Sequence, residues 1–220
     1  DFLMWVVTGI STGLTQGFSI QLSQYYGAKD FENLRKSLAH SYRLTAFIAA
    51  GVLILSQSFA SLVLTGLHTP SNIIGMSLLY LRIIFCGIPA ASAYNMFASA
   101  LRAMGNSKTP LTAMIIASVL NVSLDILFVA GFGWGVAGAA IATVIAQSFS
   151  AVYCFLILRR IDIVHLTRAD FMPASGMNAR LMKLGIPVVF QNIIIGVGGL
   201  VVQYVINGYG FLFVAGFTAT

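Results

Sequence analysis

Charge is scarce in this chain. Only 8% of its 220 residues are Asp, Glu, Lys or Arg, where soluble domains carry about 25%. Acids are the scarcer sign, six against twelve Lys and Arg. So few charges cannot clothe a water-facing exterior, which excludes an ordinary soluble domain. Cysteine is rarer still. Cys86 and Cys154 stand apart, with no CxxC and no His/Cys cluster, so neither a zinc site nor a disulfide framework is suggested. Both fall in apolar stretches and are expected as buried small hydrophobes. Runs of about ten alternating residues are missing, which removes a bacterial β-barrel. No nucleophile–base pair appears, so an enzyme is the least supported class.

What is abundant is apolar sequence. The chain is 58% hydrophobic, with a mean hydropathy of +0.91. Long apolar runs recur at 2–26, 44–67, 72–101, 111–132, 137–158, 185–206 and 211–220. A helix rises about 1.5 Å per residue, so about 20 residues cross a bilayer core of about 30 Å. The first six runs qualify and the seventh is shorter. The expected fold class is therefore all-α, a polytopic membrane helix bundle. The chain reads as an excerpt, because Asp1 leads at once into an apolar run and Thr220 ends inside another. Further helices are expected on either side.

The net charge of +6 might point to nucleic acid, but its distribution does not. Lys29, Arg35, Lys36 and Arg43 fall near the first connection, Arg102 and Lys108 near the third. Arg159, Arg160, Arg168, Arg180 and Lys183 follow the fifth span. The connections at 67–71, 131–138 and 207–210 have no Lys or Arg. This alternation is the positive-inside pattern, and it puts the first, third and fifth connections in the cytoplasm. Arg82 alone falls outside it. The polar stretch 159–183 reads as a linker between two bundles. The expected division is 1–160, a linker at 161–184, and a second bundle from 185 to 220. The span from Gly185 is expected to make few contacts with the others, with Met177–Leu184 as a short amphipathic lead-in.

Asp125 is the most informative residue. It is a carboxylate in the run 112–132, where a charge costs at least about 2.5–3.5 kcal/mol. Such residues face a cavity or a partner and mark ion or proton paths. Asn121, four residues earlier, projects from the same helix face. Asp125 and Thr143 lie about 9 Å inside the outer helix ends, Tyr80 about 12 Å and Arg82 about 15 Å. Oxygens at one level make a site for a hard cation such as sodium. The alternative is a fixed Arg82–Asp125 ion pair, which would hold the carboxylate ionised.

Other motifs have plainer readings. Gly133, Gly135 and Gly138 fit G-x-G-x-x-G, but the preceding run crosses a membrane and the next acid is Asp162, against a dinucleotide site. A tight turn between close-packed helices is the better account. Gly9, Gly13 and Gly17 form a small-residue ridge for helix packing. Thr8, Ser11, Thr12, Thr15 and Ser19 make a hydroxyl stripe, read as interhelical hydrogen bonding in preference to a cavity lining. Pro110 and Pro187 fit first helical turns, and Pro89 should kink its helix.

Several of these residues also resemble a known family. Leu101–Pro110, "LRAMGNSKTP", resembles the "LRA-x-GD-x-x-x-P" connection of the multidrug and toxic compound extrusion (MATE) transporters. Asn121 to Asp125 resembles their "N-x-x-L-D" helix, Gly135 to Thr143 their "GVAGAAIAT" segment, and Gly27 to Asp30 their "GA-x-D" turn. The resemblance implies two six-helix bundles, with this chain covering the second to the start of the eighth helix of twelve. It implies a DinF-like coupling site at Asp125, Asn121, Thr143 and Tyr80, with Gln191 towards the substrate cavity. It also implies a bacterial inner (plasma) membrane, no cofactor beyond a candidate sodium ion, a small amphipathic substrate, and no nucleic acid. Asn106 stands where the family usually has Asp. The NorM-like acid of the seventh helix is absent from 185–206, and the family's first helix, with its second Asp, is not in this sequence.

The resulting expectation is a sodium- or proton-coupled antiporter exporting amphipathic, often cationic drugs or toxins. A lipid-linked saccharide flippase of the same superfamily and a non-transporting membrane scaffold stay open beside it.

Overall fold

A computed structural model of the chain describes residues 2–66, 74–172, 174 and 176–208, with side chains for 9–62, 64, 74–172, 174 and 176–198. Among these there is no strand. Seven α-helices follow one another: α1 (Phe2–Gly27), α2 (Phe31–Gly66), α3 (Ile74–Cys86), α4 (Ile88–Ala103), α5 (Lys108–Asp125), α6 (Gly135–Arg159) and α7 (Met177–Gly208). The connection at 68–71 and the run 211–220 lie outside the described residues. Five spans are long and apolar enough to cross a membrane, α3 and α4 together forming one of them. α1 falls short of that because Ser, Thr and Gln stud it. It tolerates them because α2, α4 and α7 pack around it.

The turns show why the helices stop where they do. Lys29 takes a left-handed φ of +56°, and Asp30 then caps α2. Its carboxylate accepts the Asn33 side-chain amide at 2.7 Å and the Asn33 N–H at 3.2 Å. These donors, the side chain first, hold the Asp30 pKa below its ordinary value. Asn106 Oδ1 accepts the Thr109 N–H at 3.1 Å at the start of α5, so the amide caps the helix as a carboxylate would. Gly133 and Gly135 have φ of +68° and +53°. A Cβ on Gly138 would sit 2.9 Å from Cβ of Phe128. The three glycines thus serve a tight turn and a close helix approach.

The interruption expected at Pro89 is present, whereas the expectations for Pro187 and Cys86 need correction. Pro89 lies in the first turn of α4, and the break in the span falls at Gly87, between α3 and α4. Proline cannot continue the hydrogen-bond ladder, and the gap opens just before it. Pro187 is inside α7, not in its first turn, because 177–184 is continuous with the span and not a separate lead-in. Cys86 is exposed at the broken end of α3, while Cys154 is buried.

Helix packing is led by small residues. Gly13 lies against the Val189 backbone, and Gly17 directly against Gly185, leaving no room for a Cβ. α1 and α7 share the most extensive contact of any helix pair. This is closer than the expected sparse contact, although among the described residues α7 touches none of α3 to α6. Ser92 Oγ donates to Ser11 Oγ at 3.1 Å, and Asn95 Nδ2 to Thr12 Oγ1 at 3.3 Å. Those members of the hydroxyl stripe therefore hold α1 to α4. The Thr8 side chain lies outside the described residues.

The hydrophobic core gathers at one end. Phe18, Leu22, Leu34, Leu38, Leu101, Leu158 and Leu181 are almost fully buried there. This is the end that carries Lys29, Arg102, Lys108 and Arg159. The polar connection 160–176 docks onto it through short 3-10 turns at Asp162–Val164 and Arg168–Phe171. His40, 1% exposed, reaches that connection from α2. Its Nε2 donates to the Met172 carbonyl at 3.1 Å, and its Nδ1 lies 2.7 Å from Asn178 Oδ1. Arg43 donates to the Phe171 carbonyl at 3.0 Å. Asp170 is buried, accepts from the Thr167 N–H and hydroxyl, and lies 3.9 Å from Arg35.

Candidate coupling site and polar cavity

Helix spacing sets the site. Ser118, Asn121 and Asp125 follow one face of α5, and Thr143 and Gln147 follow one face of α6. α5 and α6 pack along each other, which joins the two faces. Asn121 Nδ2 donates to Thr143 Oγ1 at 3.4 Å, and Thr143 donates in turn to the Ala139 carbonyl at 3.0 Å.

Asp125 is the last α-helical residue of α5. A six-residue π-helical stretch, Ile126–Gly131, begins directly after it. Such stretches are rare and often mark functional sites. Asp125 Oδ1 is buried and has no hydrogen-bond partner. An orphaned carboxylate oxygen is costly, and it suits a cation or proton.

Arg82 does not supply that partner. The ion pairs among the described residues are Arg35–Asp170, Lys36–Glu32 and His165–Asp162. Arg82 is exposed on α3, where its carbonyl accepts from Gln57 at 2.9 Å. A fixed Arg82–Asp125 pair is therefore absent among the described residues. Tyr80 is also on α3, which packs on α2, α4 and α6 but not on α5. The structure brings Asn121 and Thr143 together and sets Asp125 one turn along the same face; Tyr80 stands on α3, which packs on the helix of Thr143 but not on that of Asp125. Gln191 is exposed on α7, remote in contact from α5 and α6.

Beside the Asn121–Thr143 pair lies a cavity of about 340 Å³ between α4, α5 and α6. Asn95, Ser118, Gln147 and Ser150 line it with them, and Tyr94, Met114 and Ala117 supply apolar wall. Sequence reasoning missed Asn95, Ser118 and Gln147. The signal for Gln147 was its four-residue step from Thr143, and for Ser118 its three-residue step to Asn121. Asn95 had no such marker. No Lys or Arg lines the cavity among the described residues.

A family model described as MatE matches residues 1–127. The chain belongs to the MatE family. "Probable multidrug resistance protein YpnP" of Bacillus subtilis (strain 168) is 32% identical over 217 residues, which is 99% of this chain and 48% of that protein. "Multidrug export protein MepA" of Staphylococcus aureus (strain NCTC 8325 / PS 47) is 24% identical over 208 residues, 93% of this chain and 46% of that protein. The chain thus spans about half the length of these relatives.

Solved MATE structures share the fold. The "Crystal structure of MATE in the straight conformation" superposes with a TM-score of 0.89 at 23% identity, over 99% of this chain and 49% of that one. The "Inward-facing conformation of a multidrug resistance MATE family transporter of the MOP superfamily" does so at 0.83 and 22% identity, over 90% of this chain and 45% of that one. This MatE chain is a multi-pass integral membrane protein.

Proposed function

We propose that this chain forms the coupling half of a multidrug exporter, in which a sodium ion or a proton drives release of amphipathic, often cationic compounds. The single observation that carries the reading is the unpartnered, buried Asp125 carboxylate oxygen, one turn from the Asn121–Thr143 pair. Multidrug names on two relatives support the export half of it.

Asp125 would take the charge, and Asn121 Oδ1 and the Thr143 hydroxyl would complete an oxygen set. Such a set suits sodium better than a soft metal. Tyr80 is a fourth candidate ligand, offered from α3. Binding shifts the balance between two conformations by no more than the cation's differential affinity for them. The polar cavity borders the pair, so occupancy at Asp125 and the shape of the cavity are coupled through α5. Gln191 is assigned to the substrate path between bundles divided at 161–184. The absence of Lys and Arg from the described cavity lining disfavours a phosphate-bearing saccharide lipid.

Asp125→Asn keeps the shape and removes the charge. In vesicles carrying the full-length protein, it should abolish ion-driven export while insertion and melting stay normal. Separate sodium and proton gradients identify the ion. Undiminished gradient-driven export by the Asn variant would overturn the assignment.

A further inference from the structure

Asp125 Oδ1 has no partner, so its place against α6 is set by the helix that carries it. α5 meets α6 at points on either side of Asp125. Towards the basic end, Ser150 donates to the Ala113 carbonyl at 3.4 Å, and Asn121 to Thr143 at 3.4 Å. On the other side, Phe128 fills the notch left by Gly138. A Cβ on Gly138 would sit 2.9 Å from Cβ of Phe128 and 3.2 Å from its carbonyl carbon.

The steps between these points are unequal. From the first to the second, α5 advances eight residues (113 to 121) and α6 seven (150 to 143). From the second to the third, α5 advances seven (121 to 128) and α6 only five (143 to 138). Two α-helices lying along each other would keep nearly equal pace. α5 therefore carries surplus residues at the level of Asp125. The π-helical stretch from Ile126 absorbs them. The Phe132 N–H donates to the Leu127 carbonyl and the Trp134 N–H to the Phe128 carbonyl, both at 2.9 Å. Bonds that reach back five or six residues put more residues in each turn, with less advance per residue.

Such turns are rare, and this one has a visible brace. The Phe128 ring stacks on Trp134 with centroids 5.1 Å apart and on Phe132 at 6.0 Å. Rings at these spacings attract one another. Phe132 and Trp134 are also the donors of the two long-reach hydrogen bonds. Ring stack and backbone thus close the same turn.

We propose that Phe128 is a positioning residue for the cation site. Its seat on Gly138 and its stack on Phe132 and Trp134 hold the π-helical turn, and that turn fixes where Asp125 stands against Thr143. The inference rests on the reading of Asp125 as the cation carboxylate. Phe128 acts through the backbone, three residues from the carboxylate. Residues that hold a ligand in place from behind change metal affinity by about 10–100-fold.

Dicyclohexylcarbodiimide, which reacts with protonated carboxyls in apolar surroundings, is the probe. Purified full-length protein is labelled across a range of sodium concentrations and of pH, and mass spectrometry reads the modification at Asp125. The helices packed on α5 offer Tyr94, Arg102, Tyr153, Cys154 and Arg159 as other titratable groups, and α5 itself Lys108. All lie towards the basic end, so the midpoint reports Asp125. Phe128→Ala should move that midpoint about tenfold in sodium, or about one pH unit. Gly138→Ala drives Phe128 from its seat and should move it similarly, which keeps the test open if Phe128→Ala does not fold. Phe128→Tyr keeps the stack and should titrate as wild type. Wild-type midpoints in both alanine variants, or a Phe128→Tyr midpoint displaced as far as that of Phe128→Ala, would overturn this inference alone. A wild-type Asp125 that is unlabelled, or labelled alike at every sodium concentration and pH, would overturn the cation reading and this inference with it.

Discussion

Asp30 and Asp125 are both carboxylates at helix ends, and their surroundings give them different work. Asp30 accepts two hydrogen bonds from Asn33 at the surface. Its pKa is lowered in the folded chain, so its contribution to stability is present above the ordinary Asp value of about 4. It is lost as pH falls through the lower, folded value. Thermal melts of wild type and Asp30→Asn should therefore separate above pH 4 and converge in stronger acid. A separation that persisted unchanged at low pH would contradict the cap. Asp125 has no such donors for Oδ1, which is why it, and not Asp30, is assigned the ion. Its place in an apolar run was legible in the sequence, Asn121 followed from helical spacing and Thr143 from its similar depth, and the structure pairs the last two. Asn106 was read as a lost carboxylate. The sequence could not show that an amide oxygen meets the same backbone donor.

At the scale of helices, glycine spacing foretold packing, but not its partner. Gly13 and Gly17 read as a ridge, and the structure lays α7 on it at Val189 and Gly185. The partner is remote in sequence and carries no matching pattern beyond Gly185 itself. Gly17→Leu should push α1 from α7 and destabilise the protein by about 1–3 kcal/mol or more. Its melting temperature should drop, whereas Gly9→Ala, with open space at its Cβ, should leave it within error. Helix boundaries were less legible than helix existence. Pro187 suggested a start near Gly185, yet the backbone at 177–184 is already helical, since packing on α1 and α2 overrides the local preference. His40 was missed altogether, because nothing near it in the sequence names Met172 or Asn178. His40→Ala should free the 160–176 connection, at a cost of about 1–3 kcal/mol for the stranded partners. Limited proteolysis should then cut that connection faster in the variant than in the wild-type protein.

For the whole molecule, the charge alternation was the strongest sequence signal, and the structure gathers Lys29, Arg102, Lys108 and Arg159 at one end. That end is expected in the cytoplasm. Cysteines placed at Lys108 and Trp134 should react with an impermeant thiol reagent from opposite sides of the membrane. Labelling from one side only would refute the arrangement. The same end also holds the buried leucines, the docked connection and His40, while α5 and its π-helical stretch carry exposed apolar residues towards the other end. Among the described residues, α5 is therefore clamped at its base and more exposed towards its tip. A helix of 24 residues is about 36 Å long, so a tilt of about 10° about the clamp sweeps the tip through about 6 Å. The base moves hardly at all. Small rotations thus become lateral displacement only near the neutral end, and amides around Phe128 to Trp134 should exchange hydrogen sooner than those around Ala98 to Leu101.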